Sequence, residues 1–437
     1  MGGPMTLYYY LLARGARSWK NRAALQQWQE RRIMRHIDRI RKHSTFYREL
    51  WSGISTAEWR QFPIIDKAMM MDHFDTLNTV GITKSQAFAA AYEAENSRIF
   101  KPTIHGITVG LSSGTSGNRG LFLVSEAEQS AWTGTVLGKL LPGGLWKRAK
   151  IAFFLRANSN LYESVRRGRL QFQYFDLMEP IPQLVQRLQE YDPQIWIAPA
   201  SMLRMLADEH QAGRLTVQPH RIISVAEVLD PLDQMVIEQV FGQRVHQAYQ
   251  CTEGFLGATC KLGTLHLNED IVHIEKEYLD TKTRRFVPIV TDFSRMAQPI
   301  IRYRLNDILT EAATPCSCGS HFTAIERIEG RCDDILYLPH AESGEQITLF
   351  PDFVTRAVLA ASPSIAHYRV IQHSPLEMEI SLAKLAGCRE DTEALVSTEL
   401  TRLCSRLGCI VPQFVFTPYE FVPGRQKLRR VERRWKL

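Results

Sequence analysis

Between residues 20 and 43 the apolar positions return at helical spacing. Leu25, Ile33, Ile37 and Ile40 fall on one side, with arginines and lysines between them. This predicts a long amphipathic helix docked by one face. Residues 1–80 as a whole read as mostly helical, ending near Phe62-Pro-Ile-Ile-Asp-Lys67. From residue 100 to 310 the pattern changes. Short β-rich runs (Ile104–Leu111, Ile151–Leu155, Ile195–Ala198, Arg221–Val225) alternate with helical stretches at Ile181–Tyr191, Met202–Gln211 and Pro231–Phe241. Such alternation predicts an α/β fold with parallel sheet. After Gly330, strands are predicted near 335 and over 368–372, 376–382 and 413–417, with helices over 352–361 and 390–407. The chain therefore divides into a large domain, residues 1–330, with 1–80 as a helical lead-in, and a small α+β domain, residues 331–437.

The 437 residues, 45% hydrophobic and 23% charged, are those of a globular protein and exclude disordered and collagenous classes. No apolar run reaches the roughly 18 residues of a membrane span. The run Leu7–Leu12 lacks preceding basic residues and a cleavage site, so no signal peptide is predicted and a cytoplasmic location follows. The net charge of +7 is unevenly placed. Residues 1–45 carry ten Lys or Arg against two acids, and residues 424–437 carry seven against one. The body between them is acidic. Together with the lack of any recognition motif, this argues against a nucleic-acid binder. The N-terminal cluster reads as the solvated face of a helix, with an anionic membrane or carrier protein as the alternative.

Residues 111–120 read Leu-Ser-Ser-Gly-Thr-Ser-Gly-Asn-Arg-Gly, directly after a β-like run. Gly114 and Gly117 allow close backbone approach, and Ser112, Ser113, Thr115 and Ser116 supply hydroxyls, which suits a phosphate cradle. The Walker A pattern fails because no lysine sits beside Ser or Thr. Tyr249-Gln-Cys-Thr-Glu-Gly254 and Arg302-Tyr-Arg-Leu-Asn-Asp307 also have chemistry suited to a nucleotide.

In order and spacing these three segments resemble the adenylate-forming superfamily of acyl-CoA synthetases, closest to its phenylacetate–CoA ligase and coenzyme F390 synthetase branch. Pro199-Ala-Ser-Met-Leu203, Ser224-Val-Ala-Glu227, Gly330-Arg-Cys-Asp-Asp334 and Lys427-Leu-Arg-Arg-Val431 extend the likeness from about Phe46 to the C-terminus. The resemblance implies a large N-terminal adenylate-forming domain and a small mobile C-terminal domain. It also implies an enzyme that joins ATP and a carboxylic acid into an acyl-adenylate, then passes the acyl group to CoA or another thiol or amine, such as a carrier. By the same resemblance, Ser112–Gly117 hold the ATP phosphates and Tyr249 packs on adenine. Thr252 meets the α-phosphate, Glu253 holds Mg²⁺ and Asp307 bonds the ribose. Arg331 lies near ribose or phosphate, Asp333 acts as a hinge, and Lys427 bridges carboxylate and α-phosphate. Ser201, Ser224, Ala226 and Glu227 line the acid pocket.

The chain departs from this pattern twice. Asn118-Arg119 stand where many relatives have Lys-Pro, and Ile335–Glu345 replaces the glycine-containing segment that usually follows the hinge in CoA ligases. The second departure leaves open a nucleotidyl transferase that keeps AMP on its product, as in F390 synthetase. Arg156–Arg169, with Asn158, Asn160 and Tyr162, suggests a polar or aromatic acid, or only a solvated loop. Cys260-x5-His266 and Cys316-Ser-Cys318-Gly offer four soft ligands in two close pairs, which suits structural Zn²⁺, and some members of the branch carry a similar site. The remaining cysteines, Cys251, Cys332, Cys388, Cys404 and Cys409, read as small core residues. Arg429 and Lys436, beside Lys427, read as surface charge.

Overall fold

The computed structural model describes residues 3–16, 19–97, 102–112, 119–141, 143–145, 147–155, 169–421 and 427–435. Contacts divide the chain into two compact units. The first comprises Met1–Leu229, Asp233–Leu305 and Leu309–Arg327, and the second Asp230–Leu232, Asn306–Ile308 and Ile328–Leu437.

The first unit begins with helices Pro4–Leu11 and Arg22–His43. Asn21 caps the second by accepting from Ala24 N at 2.9 Å, and Leu25, Ile33, Ile37 and Ile40 are wholly buried along its inner face. The first helix lies across helix Glu126–Leu140 at two glycines. A Cβ on Gly138 would sit 2.9 Å from the Tyr10 carbonyl, so only glycine allows this approach.

A small antiparallel sheet, β1 (Thr103–Ile104), β2 (Ile107–Leu111) and β3 (Leu121–Val124), carries the glycine-rich loop between its last two strands. Twelve strands form the main sheet. Its parallel half contains β4 (Ala149–Leu155), β5 (Leu170–Asp176), β6 (Ile195–Ala198), β7 (Arg221–Val225) and β8 (Val245–Cys251), in spatial order β8-β7-β6-β4-β5. The period of two along β6 sends Trp196 and Ala198 into a core with helices Ile181–Tyr191, Ala200–Gln211 and Pro231–Phe241, and Ile195 and Ile197 into a core under helix Glu126–Leu140. Helices on both faces explain why β6 is apolar throughout and β4 and β7 mostly so.

The sheet is not parallel throughout, as strand–helix alternation alone would suggest. Beyond β8 it continues through β9 (Gly254–Thr259), β10 (Leu265–Leu267), β11 (Val272–Asp280), β12 (Arg285–Asp292), β13 (Ile300–Arg304), β14 (Asp307–Glu311) and β15 (Ala324–Arg331), where β8·β9, β9·β10, β10·β15, β11·β12, β12·β13 and β12·β14 pair antiparallel. The connections here are too short for crossover helices, so hairpins take over.

The second unit holds the two-stranded sheet β16 (Leu336–Pro339) with β17 (Gln346–Leu349). It also has a four-stranded sheet of β18 (Ile365–Ser374), β19 (Glu377–Lys384), β20 (Gln413–Pro418) and β21 (Val431–Arg433), in order β20-β19-β18-β21. Helices Pro351–Ala361 and Thr392–Arg406 accompany them. The strand β21 lies inside the basic C-terminal run. Arg429 is not surface charge: its side chain is 17% exposed and pairs with Asp334 and with Glu432. Of the remaining cysteines, Cys404 and Cys409 are buried, whereas Cys251, Cys332 and Cys388 are half-buried.

Candidate active site

The parallel strands β6, β7 and β8 end on the same side of the sheet, and their C-terminal ends carry candidate residues, as is usual for open α/β sheets. After β6, Ser201 lies in the first turn of helix Ala200–Gln211, and its N–H donates to the Glu227 carboxylate at 3.0 Å. Glu227 therefore occupies a helix N-terminus, which favours its negative charge. Ser224, at the end of β7, is 3% exposed, and its hydroxyl has no hydrogen-bond partner among the described residues. Ala226 is held in the left-handed region at φ 66°, turning the chain sharply there.

Strand β8 carries the buried Tyr249 and ends in a two-residue hairpin, Thr252-Glu253, before β9. The Thr252 hydroxyl donates to the Glu253 carboxylate at 2.9 Å. Tyr303 on β13 also hydrogen-bonds to Glu253. Burial first, and then the Glu253 charge, push the Tyr303 phenol well above its ordinary range, so it stays a proton donor to the carboxylate. Arg295 fixes the hairpin from behind, donating to the Thr252 carbonyl at 3.1 Å and to the Leu123 carbonyl at 3.0 Å. A Cβ on Gly254 would lie 2.9 Å from the Asp292 carboxylate, so a side chain here would have to displace this second acid. Burial raises Asp292 to about 6, against the lowering hydrogen bonds from Ser294.

The neck of the glycine-rich loop is closed by Ser112. Its N–H donates to the Gly120 carbonyl at 2.7 Å, and its hydroxyl accepts from Gly120 N at 2.7 Å. The Lys67 ammonium lies 3.5 Å from that hydroxyl, in the first turn of a helix capped by Asp66. Asp66 also acts on the Tyr303 phenol. Ser113, Gly114, Thr115, Ser116 and Gly117, with residues 156–168 of the expected acid pocket, lie outside the described residues.

In the second unit, Asp307 opens β14 and Arg331 closes β15. Asp333 accepts from the Asn306 amide at 2.5 Å, and Cys332 N donates to the Asn306 carbonyl at 2.9 Å. The hinge candidate is thus tied to the residue preceding Asp307. Lys427 is half-buried, four residues before the strand pairing of β21 begins at Val431.

Motif reading missed Lys67, Arg295, Asp292 and Tyr303. Tyr303 was visible within Arg302–Asp307, and Asp66 before an apolar run marks the helix start that presents Lys67. The contacts that give these residues their meaning are long-range.

Cys260, His266, Cys316 and Cys318 converge on the β9–β10 turn, and their ligand atoms all lie within 4.8 Å of one another. Cys260 Sγ is 3.9 Å from Cys316 Sγ, and Cys318 Sγ is 3.4 Å from His266 Nε2. Tetrahedral zinc, with Zn–S about 2.3 Å and Zn–N about 2.0 Å, requires separations of about 3.5–3.8 Å. His266 Nδ1 is 3.2 Å from the Phe322 carbonyl, a contact that leaves Nε2 to face the sulfurs. The Thr264 hydroxyl, first among several donors, pulls Cys316 down to about 6, whereas burial pushes Cys318 up to about 11.

No protein family matches the sequence, and no curated protein does. Solved structures do. 2-Hydroxyisobutyryl-CoA ligase in the postadenylation state, in complex with 2-HIB-AMP, aligns with TM-score 0.70 and 17% identity over 93% of this chain and 88% of that chain. The amide bond synthetase McbA from Marinactinospora thermotolerans aligns with TM-score 0.55 and 15% identity over 93% and 92%. The GH3.15 acyl acid amido synthetase aligns with TM-score 0.55 and 12% identity over 86% and 82%. The chain shares the fold of these ligases. No described helix is long and apolar enough to cross a membrane.

Proposed function

We propose that the protein is an ATP-dependent carboxylic-acid ligase of the phenylacetate–CoA ligase-like kind, acting in the cytoplasm. A carboxylate oxygen attacks the α-phosphorus of ATP, the bond to pyrophosphate breaks, and an acyl-adenylate forms. A thiol or amine, CoA among them, then takes the acyl group and releases AMP. The observation that carries this reading is the Thr252-Glu253 hairpin, where a carboxylate is held by two hydroxyls beside a buried tyrosine at the end of a parallel strand. Oxygen ligands of this kind suit Mg²⁺. Bound at Glu253, Mg²⁺ would offset the charge that gathers on the α-phosphate.

The other residues have supporting roles. Ser112 to Gly117 enclose the phosphates, with Lys67 at the neck. Tyr249 packs against adenine, Thr252 contacts the α-phosphate, and Asp307 and Arg331 hold the ribose side. Lys427 bridges carboxylate and α-phosphate, and Asp333 serves as hinge. Ser201, Ser224, Ala226 and Glu227 shape the acid pocket, which suits a polar or aromatic acid. The Cys260, His266, Cys316 and Cys318 donors fit a closed structural zinc site, which would pin the β9–β10 hairpin to the loop after β14.

The test is ATP–pyrophosphate exchange across a panel of acids, with mass spectrometry of products with and without CoA. Acid-dependent exchange and free AMP support the ligase, whereas an adenylated end product would replace it with a nucleotidyl transferase. Absence of exchange with every acid would sink both. Purified protein should contain close to one zinc per chain, and a content well below that would refute the metal site.

A further inference from the structure

Helix Arg22–His43 buries one face completely, yet its outer face carries a row of exposed cations, Arg31, Arg35, Arg39 and Lys42. Their spacing of three or four residues places them side by side, where like charges repel. None of the four makes an ion pair among the described residues, and the Arg35 Nε donates only to the Arg31 carbonyl. Asp38, the acid within the row, accepts instead from the Thr56 hydroxyl. The row's field reaches the core. Burial first, and then Arg32 and Arg39, hold His36 down at about 3. The preceding helix, Pro4–Leu11, turns Thr6 and Tyr10 inward and leaves Met5, Leu7, Tyr8 and Leu11 between 41% and 56% exposed. Both helices are anchored to the first unit. Arg22 pairs with Glu269, and Asp270 pairs with Lys139 at the end of the helix on which Pro4–Leu11 lies.

We propose that these two helices form an attachment surface for an anionic lipid bilayer, with Leu7, Tyr8 and Leu11 entering the interface and the cation row lying along the headgroups. Exposed apolar and aromatic side chains next to unpaired Arg and Lys are the composition that interfacial helices require. A second copy of the chain is the poorer occupant, because a two-fold contact through this face would set the row against itself. An acidic protein would answer the charge but give the four apolar side chains no matching surface. The inference is independent of the ligase chemistry, and none of these residues belongs to the candidate site.

Full-length protein should co-sediment with vesicles of phosphatidylcholine containing phosphatidylglycerol, and not with phosphatidylcholine alone. Raising the salt should weaken the binding. The combined variant Arg31→Gln, Arg35→Gln, Arg39→Gln, Lys42→Gln should lower vesicle partitioning about a hundredfold or more. Leu7→Glu with Leu11→Glu should lower it about tenfold or more. Both variants should keep the wild-type circular dichroism spectrum and urea midpoint. Wild-type protein left in the supernatant with anionic vesicles would overturn the proposal. So would equal binding by the quadruple variant, or a solution dimer that the same variant dissociates.

Discussion

The two ends of the chain are both strongly basic and have opposite physics. At the C-terminal end the arginines are consumed. Arg429 meets Asp334 and Glu432, and Arg369 meets Glu432 at 2.5 Å. Arg430 donates to the Tyr368 carbonyl at 2.8 Å while lying over its ring, and Arg433 donates to the Ile335 carbonyl at 2.9 Å. At the N-terminal end four cations stand in line without an ion pair among the described residues. A charge count treats both as basic patches. What separates them is whether each cation finds a partner inside the fold, and that decides which end holds the protein together and which is free to meet something else.

Four perturbations test this contrast, from the largest effect down. Lys427→Ala should slow adenylation about a hundredfold, about 3 kcal/mol of barrier, in exchange assays with the cognate acid. An unchanged rate would return Lys427 to the ranks of surface lysines. Arg429→Ala leaves the buried Asp334 without its guanidinium and should cost about 2–3 kcal/mol in urea unfolding. A loss under 0.5 kcal/mol, roughly that of a surface substitution, would erase the distinction between the ends.

Acid should reveal different windows. The folded pKa of His36 lies at about 3, below the ordinary 6.5, so the unfolded chain takes the proton first. Its contribution is complete above pH 6.5 and lost as pH falls, by about 2 kcal/mol at pH 5, and His36→Gln should remove that slope. At the other end, burial raises Glu432, but Arg429 and Arg369 outweigh it and hold the carboxyl below 4.5. Its contribution is therefore complete above pH 4.5 and lost only below it. Smallest of all, Arg35→Gln should change stability by less than about 0.5 kcal/mol, on the stabilising side if the row repels itself.

Periodicity alone located β4, β6 and β7 of the parallel half of the sheet, but not β5 or β8. Ile195–Ala198, Arg221–Val225, Ile181–Tyr191 and Pro231–Phe241 have the bounds expected of them, because strands covered on both faces and amphipathic helices leave strong apolar signals. The antiparallel half was less visible, since hairpins such as Cys251–Gly254 are decided by pairing partners rather than composition. Strand β21 was hidden by its charge: Val431 alone looks apolar, and the ladder with Val370 supplies the rest. Motifs pointed to Thr252, Glu253 and the four zinc-type donors. They could not point to Arg295, nor show that Tyr303 meets Glu253, since these partners lie 43 and 50 positions away in sequence.

The clamp between Ile65 and β13 bears on where the gene can be cut. Ile65 N donates to the Arg302 carbonyl at 3.1 Å and Arg304 N donates to the Ile65 carbonyl at 2.8 Å. The Arg302 side chain grips the carbonyls of Arg60 and Phe62, with its own backbone at φ 47°. Residues that look like a dispensable leader therefore splint the strand from which Tyr303 reaches Glu253. A shortened gene product starting after Asp66 would keep every motif residue and still lose the pairing that positions Tyr303 against Glu253.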